Sequence, residues 1–247
     1  MERAYSRLML GCGNFGGVGS APAFFGQGAS RDEAFALMDA AWEAGITWFD
    51  TADAYGGGRS ETWIGEWRTR TGHSPTVTTK TFAPMDEAAD HGLSPERVRR
   101  QAESSLRRLG VDRIDFYLAH AWDDDVPIAE TFAAFEELRQ AGKIGEYGVS
   151  NVDGAQFRAA LDAGDPRWVE NSYSLLDREP ERELLPLCAE RGVGFTAFGP
   201  LAGGWLTGKY RRGEPFPPGS RMTQRPGPYQ GLASARTYDA LARLQAM

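Results

Sequence analysis

The sequence predicts an α/β fold built on a parallel sheet, with functional residues placed as a (β/α) barrel of the TIM-barrel type requires. Three observations carry this. Short apolar runs alternate with amphipathic helical stretches along the chain. Several of these runs are apolar without strict alternation, as strands covered on both faces should be. Asp50, Tyr55, Lys80 and His120 fall at or just past three strand ends. In a parallel barrel those ends form one rim, where side chains distant in sequence converge.

The strand candidates are residues 8–11, 46–50, 76–81, 114–120, 145–151, 168–172 and 194–198. After the first comes Gly11-Cys12-Gly13-Asn14-Phe15-Gly16, which fits the G-x-G-x-x-G dinucleotide fingerprint. That fingerprint needs its last glycine to open a helix, and the following GGVGSAPAFFGQGAS has no helical period, so a long, flexible first loop beside a pocket is expected. Ser30 and Glu33 form a capping box for a helix ending at Ala44-Gly45. A glycine run then precedes a helix beginning near Ser60. Ser94 and Pro95 set an N-cap and first-turn proline before a helix closing at Gly110. Ile128, Phe132, Phe135 and Leu138 recur at helical spacing before Gly142, so that stripe faces the sheet. A final helix is predicted over 233–245.

With 247 residues, 41% hydrophobic, the chain can bury a full core as a single domain over 1–247. Its 27 Lys+Arg against 34 Asp+Glu leave −7, which provides no basic surface for nucleic acid or anionic lipid. Cys12 and Cys188 offer no disulfide framework and no metal-ligand spacing. The start, MERAYSRLML, lacks a signal-peptide pattern, and no run approaches the ~18 apolar residues of a membrane span. These features predict a cytoplasmic protein with no metal, no nucleic-acid partner and no membrane contact. Oligomerisation stays open.

FDTADAYGGGRSE, residues 49–61, is the most specific segment. Singly, each candidate has a structural explanation: Asp50 could bond nearby amides, Tyr55 could pack on the barrel end, Lys80 could be solvated and His120 structural. Their joint occurrence at neighbouring strand ends argues for a site. With VTTKTF, DFYLAHAWDDDVPIAET, KIGEYGVSN, VENSYSLLDRE and AFGPLAGGWLTGKY, the segment resembles the aldo-keto reductases in the family's order, nearest to the aflatoxin-aldehyde-reductase-like branch. The resemblance implies a (β/α)8 barrel and an NADPH-dependent reductase of aldehydes and ketones, whose tetrad falls on Asp50, Tyr55, Lys80 and His120. It also implies a cofactor site made of Gly11, Cys12, Gly13, Asp50, Ser150, Asn151, Glu170, Phe198, Gly199, Pro200, Leu201, Ala202, Gly203 and Lys209. Phe24 and Trp122 would line the pocket of a small-molecule carbonyl substrate. The alternatives are a nucleotide-binding regulatory or structural subunit with little turnover, or an inactive truncated reductase.

Carbonyl reduction needs a proton donor about 3 Å from the developing alkoxide, and Tyr55 is the candidate. A Lys80 cation nearby is expected to lower the phenol pKa, Asp50 to hold the lysine, and His120 to orient the carbonyl. Three positions depart from the family pattern. Glu170 stands where a glutamine is common, Gly199 replaces a usual serine and Cys12 a frequent threonine. After the seventh strand come GEPFPPGSRMTQRPGPYQG and one helix, so an eighth strand and the segment that would read the adenosine 2′-phosphate are expected to be lacking. An incomplete reductase of reduced stability, or one whose gap another chain fills, is therefore expected, with NADPH preference resting on the resemblance alone.

Overall fold

The computed structural model describes residues 5–86 and 90–246; residues 1–4 of the opening stretch lie outside the described residues. Seven strands form one parallel sheet in sequence order: β1 (Leu10–Gly11), β2 (Trp48–Asp50), β3 (Thr76–Thr81), β4 (Ile114–Ala119), β5 (Ile144–Ser150), β6 (Trp168–Ser172) and β7 (Gly194–Phe198). The sheet curls into a nearly closed barrel. At the seam, Thr196 Oγ1 on β7 donates to Sδ of Met9, the residue before β1, at 3.7 Å. No eighth strand occurs among the described residues.

Helices α1 (Arg31–Glu43), α2 (Arg59–Thr71), α3 (Pro95–Leu109), α4 (Ile128–Gln140), α5 (Gly154–Ala163) and α6 (Leu184–Arg191) follow β1 to β6. The predicted caps are present: Ser30 and Glu33 exchange bonds at 2.8 and 3.3 Å, and Ser94 caps α3, which stops at a left-handed Gly110. Phe132, Phe135 and Leu138 are buried against the sheet. After β7 come the short α7 (Arg221–Gln224) and α8 (Ala235–Gln245), which cover a satellite core around Trp205, Tyr210, Met222 and Leu241. Ser234 accepts from the Thr237 amide, so α8 begins two residues later than its apolar pattern suggests.

Two strands are shorter than their sequence signals. Leu8 is exposed, and β1 pairs only from Leu10; the Thr47 amide bonds Ser6 Oγ, so β2 starts at Trp48. The first loop has no helix at Gly16, in line with rejection of the dinucleotide fingerprint. Expected to be flexible, it is instead pinned by backbone bonds from Gly16 to Ala29, Val18 to Phe24 and Ala29 to Asn14, with Phe15 and Val18 buried.

The period of two along each strand fills the barrel in layers. Trp48, Phe116 and Trp168, from the alternate strands β2, β4 and β6, pack with ring centroids 4.8 to 5.1 Å apart, and Tyr5 joins Trp48 at 4.7 Å. Two residues further along β2 and β6 stand Asp50 and Glu170. The apolar layer therefore forms the floor beneath a charged one.

Candidate active site

Lys80 is the hub of that charged layer. Its side chain is fully buried, with Nζ 2.5 Å from Asp50 Oδ1, 3.0 Å from the Thr51 carbonyl and 3.2 Å from Glu170 Oε1. Burial pushes the ammonium down, but Asp50, Glu170 and Tyr55 together outweigh it and hold Lys80 above the ordinary lysine range. Burial, and then Asp50, pushes the Glu170 carboxyl up, and the Lys80 charge offsets only part of this. Oε2 of Glu170 is buried with no partner among the described residues.

Tyr55 follows β2 in a short turn whose amide bonds the Ala52 carbonyl. Gly56, Gly57 and Gly58 all have positive φ, and a Cβ on Gly56 would stand 2.4 Å from the Phe15 carbonyl oxygen, so the run brings the Tyr55 ring hard against the first loop. The hydroxyl of Tyr55 stands 3.4 Å from His120 Nε2, and Lys80 Nζ is 5.5 Å from the Tyr55 ring centroid. The tetrad is thus assembled from the ends of β2, β3 and β4.

One electrostatic expectation is overturned. Tyr55 is pushed up from the ordinary phenol range: burial dominates, Lys80 pulls down, and Asp50, Glu170 and Cys12 add to the rise. The reason is that burial of the phenol outweighs the Lys80 field, which the Asp50 carboxylate beside it offsets in part. Burial and Lys80 likewise push His120 down to about 3, so its imidazole is neutral. His120 Nδ1 is also buried without a partner among the described residues.

Cys12 and Gly13 pass beside this group. The Cys12 amide bonds the Asp50 carbonyl and its thiol is buried, while a Cβ on Gly13 would lie 3.4 Å from the Tyr55 ring; Gly11 is exposed. Ser150 is buried at the end of β5. Asn151, at φ 56°, is exposed and donates from Nδ2 to the His120 carbonyl at 2.8 Å and to Ser150 Oγ at 3.0 Å. Asp153, with Gln156, caps α5, so neither Ser150 nor Asn151 is needed as a cap. Phe198 ends β7 half-buried, followed by Gly199, an exposed Pro200 and Leu201, and a buried Ala202. A Cβ on Gly203 would meet the Tyr229 ring at 2.6 Å; Lys209 is exposed, with Nζ 5.4 Å from the Tyr210 centroid. Trp122 packs on the core edge, and Phe24 lies under Arg225 at 5.2 Å. A hollow of 730 Å³ bounded by Leu175, Arg178, Glu179, Arg182 and Arg236 lies apart from the tetrad.

A second buried polar layer escaped the sequence reading. Glu61 accepts from Thr79 at 2.5 Å and pairs with Arg108 at 2.6 Å; Thr81 donates to Asp53 at 2.7 Å and accepts from the buried Arg97 at 2.8 Å. Burial, then Glu61, pushes Asp53 up to about 7. The signal was the three acids of the 49–61 segment, of which only Asp50 was given a role. Asp123, the first of three adjacent carboxylates after Trp122, accepts the Leu93 amide at 2.7 Å. Among the described residues, no group of three or more His, Cys, Asp or Glu could hold a metal ion, and no helix is long and apolar enough to cross a membrane.

Comparison with known proteins gives one family. A model described as the Aldo/keto reductase family matches residues 7–247. The chain is 34% identical over 235 residues to an NADH-specific methylglyoxal reductase of Escherichia coli (strain K12), covering 89% of the chain and 70% of that protein. It is 37% identical over 182 residues to human aflatoxin B1 aldehyde reductase member 4, covering 71% and 55%. A solved glycerol dehydrogenase, AKR11B4 from Gluconobacter oxydans, superposes with a TM-score of 0.80 at 28% identity, covering 98% of this chain and 72% of that one. The chain spans less than two thirds of the length of several curated relatives it matches, 65% of one and 55% of another.

Proposed function

The chain belongs to the aldo/keto reductase family, and on that premise we propose that it reduces an aldehyde or ketone to an alcohol with a nicotinamide dinucleotide as hydride source and Tyr55 as proton donor. One observation carries the reading: the Tyr55 hydroxyl stands 3.4 Å from His120 Nε2, beside a Lys80 held by Asp50. The residues present also fit the cofactor. Glu170 keeps a buried oxygen without a partner among the described residues.

A reduced nicotinamide, when bound, supplies the hydride. Ser150, Asn151 and Glu170 would hold its carboxamide and Phe198 its ring face, with Gly199, Pro200, Leu201, Ala202, Gly203 and Lys209 around the phosphates and Gly11, Cys12 and Gly13 at the mouth. Tyr55 passes its proton to the carbonyl oxygen as that oxygen gains charge. The remaining field of Lys80 stabilises the phenolate left behind. A neutral His120 carrying its proton on Nε2 donates to the same oxygen and fixes its direction. Phe24 and Trp122 would border the substrate. NADPH is the preferred nucleotide in this reading by family resemblance; because one relative is named an NADH-specific reductase, both belong in the test.

The test follows nucleotide absorbance with a panel of aldehydes and ketones. Tyr55→Phe should lower turnover about 10²- to 10⁴-fold and leave nucleotide affinity unchanged. Undiminished turnover in that variant would remove Tyr55 as the acid. Nucleotide binding without turnover in the wild type would favour the binding-subunit reading instead.

A further inference from the structure

Glu170 shares the Lys80 ammonium with Asp50. Its side chain is 3% exposed, Oε1 lies 3.2 Å from Lys80 Nζ, and Oε2 has no partner among the described residues. Asp50 makes the shorter contact with the same ammonium, at 2.5 Å. One buried cation therefore faces two carboxyl groups, and if both were ionised the cluster would carry an uncompensated negative charge in a dry site. The groups that face Glu170 are Asp50 from β2 and Lys80 from β3. Tyr55, Cys12 and His120 border the cluster from the loops after β2, β1 and β4, and none of them adds a positive charge.

The geometry points to Glu170 as a neutral carboxylic acid, a positioning residue that donates from its unpartnered oxygen to the carbonyl of a bound nicotinamide's amide group. Oε1 can then accept from Lys80 while Oε2–H donates, which satisfies every polar atom of the side chain. Burial and the Asp50 charge both favour this protonated form, and Lys80 does not outweigh them. Keeping the proton on Glu170 has a second effect. It leaves Lys80 with one carboxylate instead of two, so more of its field reaches Tyr55. Loss of the proton removes the donor and places a second negative charge against Lys80, and both changes weaken ligand binding. The ligand named here rests on the reductase reading; the proton on Glu170 does not.

Two measurements test the two parts separately. Infrared spectra of the ligand-free wild-type chain, unlabelled and with ¹³C-carboxyl glutamate, should contain a protonated glutamate C=O stretch at about pH 6. That band should fade as pH rises and be missing in Glu170→Gln. The isotope label separates it from protonated Asp53 without requiring any substitution to fold. Absence of the band at about pH 6 would overturn the proposal. Tryptophan fluorescence quenching should then give a nucleotide Kd that rises about tenfold per pH unit once Glu170 has lost its proton. In Glu170→Gln, Kd should stay flat and close to the low-pH wild-type value. A wild-type Kd independent of pH, or the same pH dependence in both chains, would refute the donor role. Failure of the wild type to bind either nucleotide at any pH would sink the reductase reading, while the infrared band still decides the proton.

Discussion

The Tyr55 hydroxyl and His120 Nε2 meet at 3.4 Å although the two residues end different strand units, β2 and β4. His120 is pushed down to about 3 by burial and by Lys80. Its folded value therefore lies below the unfolded value near 6.5, so the unfolded chain binds more protons between the two, and stability is lost as pH falls through that window. The ring stays neutral at neutral pH, so in the proposed reaction it is a directional hydrogen-bonding group and the proton for the alkoxide is left to Tyr55. In an NMR titration, the His120 ring signals should not move between about pH 5 and about pH 8. A midpoint near the ordinary histidine value would contradict this.

Lys80 is the keystone of three strand ends. Lys80→Met should destabilise the chain by about 3–5 kcal/mol, because two buried carboxyl groups then face each other without a cation. Adding Glu170→Gln should recover part of that loss, since the amide cannot ionise opposite Asp50. Urea denaturation of the single and double variants at neutral pH checks both statements. A double variant no more stable than Lys80→Met would show that the two groups do not interact.

Asp53 carries a cost with a definite pH signature. It is pushed up to about 7 by burial and by Glu61, above its unfolded value near 3.8. Between those values the folded chain holds a proton that the unfolded chain has released, so stability falls as pH rises and levels off above about 7. Asp53→Asn, whose amide oxygen can still accept from Thr81, should flatten that slope. Its advantage over wild type should grow from pH 4 to pH 7 by ~1 kcal/mol or more. Equal slopes in thermal melts of the two chains across this range would exclude Asp53 as the source.

Both thiols should be inert in the folded chain. Burial pushes Cys12 well above the ordinary thiol value, with Asp50 adding to the rise, and burial pushes Cys188 up to about 11. Since the thiolate is the nucleophile, labelling at neutral pH should proceed only as fast as the chain opens. Denaturant at its midpoint should accelerate it sharply. Rapid labelling of native protein at either cysteine would contradict the buried placement.

Much of the site was legible because strand ends announce themselves. Asp50 closes an apolar run, Lys80 closes VTTK and His120 follows FYLA, and a parallel barrel sends all such ends to one rim. The capping boxes of α1 and α5 and the glycine stop of α3 are local devices, which is why the helices behave as their sequences suggest. What stayed hidden was pairing across the barrel. Glu170 reads as a departure from a family pattern, and Glu61, Asp53 and Arg97 carry no assigned role, until the folded chain sets them against Lys80, Thr79 and Thr81.

The sequence by itself determined the order of strands and helices, the rim on which polar strand ends collect, and the residue types available for proton transfer. Those follow from periods of 2 and 3.6 and from end signals that act within a few residues. Only the tertiary structure decided that Glu170 shares Lys80 with Asp50 and that Tyr55 is raised above the ordinary phenol range, contrary to the effect of Lys80 taken alone. The physical reason is that side-chain alternation fixes which face a residue occupies on its own strand, whereas barrel closure fixes which faces meet across the axis. Closure also buries the phenol, and the cost of burying its charged form outweighs the nearby Lys80, which reverses the sign of the local expectation.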